Sequence, residues 1–261
     1  MSGSVQLEMP FLDHLEELRW RLFKCAVAIA ICVGLTFAAL FSFPEQIDIV
    51  GILARPVQPY LKQPLMVTGP GDLFDIVMDA SITIGLTLAS PVIVWQVWGF
   101  LSPALYGHEK KVVIPTLIGA AVLFLAGMSL AFFFVVPVSL RFLILGFQTD
   151  SVNSMLTVDR YFSFLFAMCL AFGAVFELPI VILLLTALGI VQPAFLIKFR
   201  RHAFVGCILL AALITPGSDP TSLFLLTLPL YFLYEVSIWL SRFVSKRREK
   251  RIAGQDTLEL A

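Results

Sequence analysis

Two carboxylates, Glu17 and Glu109, stand where most of the chain's positive charge is gathered. Glu17 is followed by Arg19, Arg21 and Lys24, and Glu109 by Lys110 and Lys111. Each acid either neutralises its own neighbours or offers its oxygens to a cationic group from outside. A third acid, Glu177, lies in Phe176-Glu177-Leu178-Pro179, inside a long apolar run. An ionisable group at membrane depth costs at least about 2.5–3.5 kcal/mol on insertion scales. No Lys or Arg lies inside the neighbouring apolar runs, so Glu177 either keeps a proton and hydrogen-bonds between helices or faces a hydrated groove. Asp75 and Asp79 share one helix face at four-residue spacing, near Asp72, and read as solvated. Asp219 precedes an apolar run, where a carboxylate caps a helix N-terminus. Glu235 is expected to pair with Arg242 or to reach the interface.

Other chemistries lack their residues. His14, His108 and His202 fall outside the apolar interiors. No Ser–His or paired-Asp arrangement lies within them, which argues against an intramembrane hydrolase. Cys25, Cys32, Cys169 and Cys207 all sit inside apolar segments, as small packing residues rather than metal ligands or disulfide partners. A phosphate-binding glycine loop is absent, and no cofactor is expected.

The elements that position these groups are membrane helices. Hydrophobic residues make up 59% of the 261-residue chain and charged residues 14%, against about 45–50% and about 25% in soluble domains. That much apolar surface requires lipid as solvent. The zero formal net charge argues against a nucleic-acid binder. Crossing about 30 Å of hydrocarbon at 1.5 Å per residue takes about 20 apolar residues. Six segments are candidates: 22–43, 73–98, 112–136, 160–185, 203–215 and 221–240. The fifth stops at Pro216 after only about 20 Å of helix, and Pro216, Gly217 and Pro220 turn it tightly into the sixth. The first apolar run has no small-residue cleavage site after it and reads as a retained span.

Charge sets the expected orientation. Of the 18 basic residues only Arg55, Lys62, Arg141 and Arg160 fall on one side of these spans. The remainder lie near the N-terminus, in the second and fourth connections and in the tail 241–261, which places both termini in the cytoplasm. Leu12, Leu15, Leu18 and Leu22 recur at helical spacing in an amphipathic lead-in, 9–21, expected to lie along the interface before bending into the first span. The far-side connections 44–72 and 137–159 are too long for simple turns and are expected to form structured caps. The whole chain, 1–261, reads as a single integral membrane domain.

The motifs along these spans resemble those of a known family. They are His14-Leu15-Glu16-Glu17-Leu18-Arg19, then Ala89-Ser90-Pro91-Val92-Ile93 leading into Gln96-Val97-Trp98-Gly99-Phe100. Next come Ser102-Pro103-Ala104-Leu105-Tyr106-Gly107-His108-Glu109-Lys110-Lys111, Ala171-Phe172-Gly173 with Phe176-Glu177-Leu178-Pro179, and Thr215-Pro216 with Asp219. In this order they are similar to TatC, the multi-spanning core of the twin-arginine protein translocase. The resemblance implies an all-α, six-span, concave glove-like bundle with both ends cytoplasmic and short fifth and sixth helices, in the cell inner membrane. It also implies a receptor for signal peptides carrying consecutive arginines on folded cargo. Such a receptor recruits single-span TatA and TatB partners, forms a homo-oligomer within a hetero-complex, and works on the proton-motive force.

The same resemblance assigns roles. Glu17 and Glu109 match the recognition positions, and two guanidinium forks suit two carboxylates. Arg19 matches an arginine that would orient Glu17, and Phe100 an aromatic beside the loop. Glu177 matches a contact for polar groups on partner helices, Pro56 an outer-loop proline used in assembly, and Asp219 an acid of the outer turn. The family often carries a lysine in the outer part of the second span; here Asp79 takes that place. The rival reading is a proton-coupled small-molecule transporter relaying through Glu177, but no second charged group at depth supports it.

Overall fold

The computed structural model describes residues 11–43, 48–60, 65–101, 113–146, 156–187, 189–214 and 220–259. They form ten α-helices: α1 (Phe11–Ser42), α2 (Ile49–Ala54), α3 (Asp72–Leu101), α4 (Val113–Leu130), α5 (Val136–Gly146), α6 (Val158–Phe176), α7 (Leu178–Ala187), α8 (Pro193–Lys198), α9 (Arg200–Ile214) and α10 (Pro220–Glu259). Four stretches among the described residues are long and apolar enough to cross a membrane: Leu15–Ser42, Asp72–Val97, Ile118–Phe142 and Val158–Thr186.

Several boundaries differ from those expected of the sequence, each for a local reason. The amphipathic lead-in does not bend before the first span. No Gly or Pro occurs between Phe11 and Val33, so the two merge into the unbroken α1. The third span does not stop at Pro137. Ala131–Val135 form a π-helical turn between α4 and α5, with the Val136 N–H donating to the Ala131 carbonyl. The wider turn puts Pro137 at the start of a fresh helix, where its missing N–H is tolerated. The fourth span is two helices, because Pro179 cannot donate to the Val175 carbonyl four residues back. The sixth segment runs on through the basic tail, so α10 has 40 residues. Lys, Arg, Glu and Ala after Ser241 are good helix formers. By contrast α9 has 15 residues, about 22 Å of helix.

Polar groups in these helices are met from within. Pro91 lies inside α3 and leaves the Thr87 carbonyl without its usual amide donor. The Ser90 hydroxyl donates to that carbonyl at 2.8 Å, a repair available to Ser beside a proline in lipid. The Thr36, Ser81 and Thr186 hydroxyls donate to carbonyls one turn back, those of Cys32, Val77 and Ile182. Thr186 also meets Ser241 across the buried α7–α10 contact at 2.8 Å.

The core centres on α6, whose Tyr161, Phe162, Leu165, Met168 and Phe172 are all but inaccessible. α4 and α3 pack against it, α10 packs along α7 and α9, and α1 packs along α3. α1 leaves most of its apolar surface outside, including Leu22, Phe23, Ile31, Leu35 and Phe41. Close approach needs glycine at two crossings. A Cβ on Gly85 would lie 2.6 Å from the Cα of Val33 on α1, and one on Gly127 would lie 2.7 Å from the Phe172 carbonyl oxygen on α6. The described parts of the two long connections meet each other, a contact the sequence did not signal. The Met66 N–H donates to the Leu156 carbonyl at 3.3 Å, and the Val158 N–H to the Met66 carbonyl at 2.9 Å. Beside them the Tyr161 hydroxyl donates to the Leu53 carbonyl at 2.7 Å.

Glu235 pairs with Arg200, not with Arg242 as its sequence neighbourhood suggests. Arg242 is seven residues along the same helix, about 10 Å away, whereas packing of α9 on α10 brings the Arg200 Nη2 within 2.7 Å of Oε2. The Tyr231 hydroxyl donates to the other oxygen at 3.0 Å.

Two stability predictions follow from these contacts, both read by thermal unfolding in detergent. Gly127→Ala lowers the melting temperature, through overpacking of about 1–3 kcal/mol. Gly34→Ala, with nothing within 4 Å of the added methyl, leaves it equal or higher, since Ala is the better helix former. Equal losses in both variants would contradict the crossing. Glu235→Ala lowers the melting temperature by a few degrees, for a partly exposed pair of about 1 kcal/mol. Arg242→Ala leaves it unchanged; the reverse ranking would refute the α9–α10 pair.

Candidate functional site

α1 and α3 run antiparallel: Phe37 meets Phe74 edge-on, Val33 crosses at Gly85, and Arg21 reaches Gln96. The first turns of α1 therefore lie beside the last turns of α3, and residues 102–112 leave from that end. Glu17 sits there with its side chain 24% exposed. Its Oε1 accepts a hydrogen bond from the Arg21 Nε at 2.9 Å and a second, shorter one from Nη2. The third guanidinium nitrogen, Nη1, points across to α3, 3.5 Å from the Gln96 carbonyl. A Cβ on Gly99 would overlap Nη1, so the absence of a side chain there leaves space for the guanidinium. Phe100, half-buried, is the next residue.

Among the described residues Arg21, rather than Arg19, pairs with Glu17. Helix geometry decides this: residues four apart share a face, and residues two apart do not. The Arg19 side chain is 74% exposed. It lies 3.9 Å from Glu16 and over the ring of Trp20. Arg21 was visible in the sequence as a basic neighbour of Glu17, and the four-residue spacing was the signal that pointed to it. Gln96 and Gly99 carried no such signal, because the α1–α3 crossing brings them in.

Glu177 occupies the break between α6 and α7. Its backbone N–H turns back to the Ala174 carbonyl at 3.2 Å, and its own carbonyl receives the Ile180 and Val181 N–H groups at 3.0 Å. Its Oε1 is buried without a hydrogen-bond partner among the described residues. An apolar groove of about 300 Å³ opens between α3, α4 and α6, lined among others by Thr83, Thr87, Leu125, Met128, Phe166 and Cys169. Pro56 is half-buried in the turn after α2, next to the fully buried Val57. Asp79 lies 3.5 Å from the Ser163 hydroxyl of α6. Glu109 and Asp219 lie outside the described residues. The structure thus joins Glu17, Arg21 and the end of α3 at one site and holds Glu177 on a different set of helices.

This arrangement supplies a carboxylate that holds a guanidinium at the end of a membrane helix, and an unpaired acid oxygen within an apolar bundle. Comparison with known proteins gives both a context. The family described as Sec-independent protein translocase protein (TatC) matches residues 13–229. The Sec-independent protein translocase protein TatC of Aquifex aeolicus is 37% identical over 245 residues, covering 93% of this chain and 98% of that one. Its counterpart from Escherichia coli K12 is 36% identical over 250 residues, covering 95% and 94%. A crystal structure of the twin-arginine translocase receptor TatC superposes with a TM-score of 0.76 at 37% identity, over 89% of this chain and 99% of that one. The chain therefore belongs to the TatC family: it is a multi-pass membrane protein and a non-enzymatic component of the Tat protein translocase, working within a translocase complex.

Proposed function

We propose that this chain is the signal-peptide receptor of its translocase, and that Glu17 and Glu109 receive the two consecutive arginines of the signal. The observation that carries the reading is the Glu17 carboxylate. It already holds a guanidinium, that of Arg21, at the helix end from which the segment bearing Glu109 departs. Bidentate acceptance of a planar fork is what distinguishes arginine from lysine. Phe100 flanks the site, and Arg19, exposed beside it, contributes to the local field. The apolar part of the signal then lies along the groove between α3, α4 and α6. Glu177, with its unmet oxygen, takes a polar group from a partner helix, because an unpaired acid in hydrocarbon is stabilised by any donor brought to it.

In this reading 1–261 form one integral domain of six spans, concave and glove-like, with both termini cytoplasmic and the protein in the cell inner membrane. The distribution of basic residues supports that orientation, and the 15-residue α9 supports a thin flank. TatA and TatB-like single-span subunits are the partners, around a homo-oligomer within the hetero-complex. The proton-motive force drives transport. Pro56 and Asp219 serve assembly on the far side. The small-molecule transporter reading has nothing comparable in its favour.

The test is direct binding of a labelled twin-arginine peptide to the full chain in nanodiscs. Glu17→Gln and Glu109→Gln each weaken binding about tenfold or more in protein that stays folded, Glu17→Gln lowering the melting temperature by no more than the few degrees expected of one partly buried pair, and replacing both peptide arginines by lysine weakens binding to a similar degree. Wild-type affinity in both variants would refute the assignment of the two acids.

A further inference from the structure

The contacts of Arg21 carry a consequence for selectivity. Its guanidinium is enclosed on three sides: by Glu17 Oε1 at 2.9 Å, by the Gln96 carbonyl at 3.5 Å, and by the bare backbone of Gly99, where any Cβ would collide with Nη1. Its side chain is 23% exposed. An ordinary i,i+4 pair on a helix surface needs none of this enclosure. The α1–α3 crossing thus forms a seat shaped for a guanidinium, and the chain fills that seat with its own arginine.

We infer that Arg21 is a built-in competitor for the signal arginine and sets the affinity range in which the receptor works. The inference rests on the reading of Glu17 as a signal-arginine acceptor. An incoming arginine must take Glu17 over from Arg21, so only the fraction of molecules in which Arg21 has swung away binds at full strength. The apparent dissociation constant is raised by that fraction. The tax is the same for every peptide. It leaves the ratio between arginine and lysine signals unchanged but moves both to weaker affinity, so that a lysine signal, lacking the fork, falls below the working range while an arginine signal stays within it. Handing Glu17 to the signal also loosens the Arg21 link from α1 to the Gln96 carbonyl of α3.

The experiment measures binding of a twin-arginine peptide and its twin-lysine counterpart to the full chain in nanodiscs, for wild type, Glu17→Gln, Arg21→Lys and Arg21→Gln. Arg21→Lys keeps the charge and removes the fork. Competition predicts that it tightens both peptides by one common factor of about tenfold, and that Arg21→Gln tightens them at least as much. A loss of affinity, larger for the arginine peptide, would make Arg21 a residue that orients Glu17 and would overturn the inference. So would unchanged affinity in Arg21→Lys, since a gain confined to Arg21→Gln is plain charge repulsion. If wild type captures neither peptide, the receptor reading fails and takes this inference with it. If wild type binds, Glu17→Gln does not, and Arg21→Lys is no tighter, the inference alone fails.

Discussion

A chain dissolved in hydrocarbon has to satisfy its polar groups from its own residues, and that constraint organises this structure. Ser90 repairs the carbonyl that Pro91 strands. The π-turn at Ala131–Val135 lets the helix restart around Pro137. Ser and Thr hydroxyls fold back on carbonyls one turn earlier, and Thr186 and Ser241 meet each other inside the bundle. Against that background a few buried groups stay unmet among the described residues, the Thr83 and Ser139 hydroxyls and the Glu177 Oε1 among them. An unmet acceptor is costly in a low-dielectric interior. At Glu177 the proposed partner helix would provide the donor.

Charge follows the same logic at the helix ends. The described ion pairs that are not fully in water, Glu17 with Arg21 and Glu235 with Arg200, each sit where one helix meets another and are made through a guanidinium. Arginine suits the role because its fork bridges several acceptors at once and it is less strongly hydrated than lysine. At the α1–α3 end this pairing creates a site of the same chemistry that a twin-arginine signal would bring. If Glu17 receives a signal arginine as proposed, the receptor holds an internal guanidinium where an external one is to be read, and recognition becomes an exchange of partners rather than the filling of an empty site.

Much of this was legible in the residues. Composition alone required lipid, and the four apolar stretches overlap the first four spans read from the sequence, each running past its span at one end or both. The break at Glu177 was signalled by Pro179, and the acids at 17 and 177 stood out by type and place. What stayed hidden depended on distance in three dimensions. Arg200 and Glu235 are separated by a whole hairpin, so no local pattern links them. Gly99 looked like a loop glycine until α1 was seen to lay a guanidinium against it. Arg19 took the role of orienting Glu17 from the family resemblance, although a two-residue step on a helix points to another face. The continuity of α1 and α10 was missed because a change from polar to apolar composition reads as a boundary, while the backbone registers only Gly, Pro and capping residues.

The most direct test of the account is a double-mutant cycle between the signal and its receptor. Each peptide arginine is changed to glutamine, alone and together with Glu17→Gln, and the four affinities give the coupling between the two side chains. A carboxylate that receives a signal guanidinium predicts a coupling of about 1.5–3 kcal/mol for one of the two arginines. Changes that add to within about 0.5 kcal/mol for both arginines would mean that Glu17 and the signal never touch, and would contradict it.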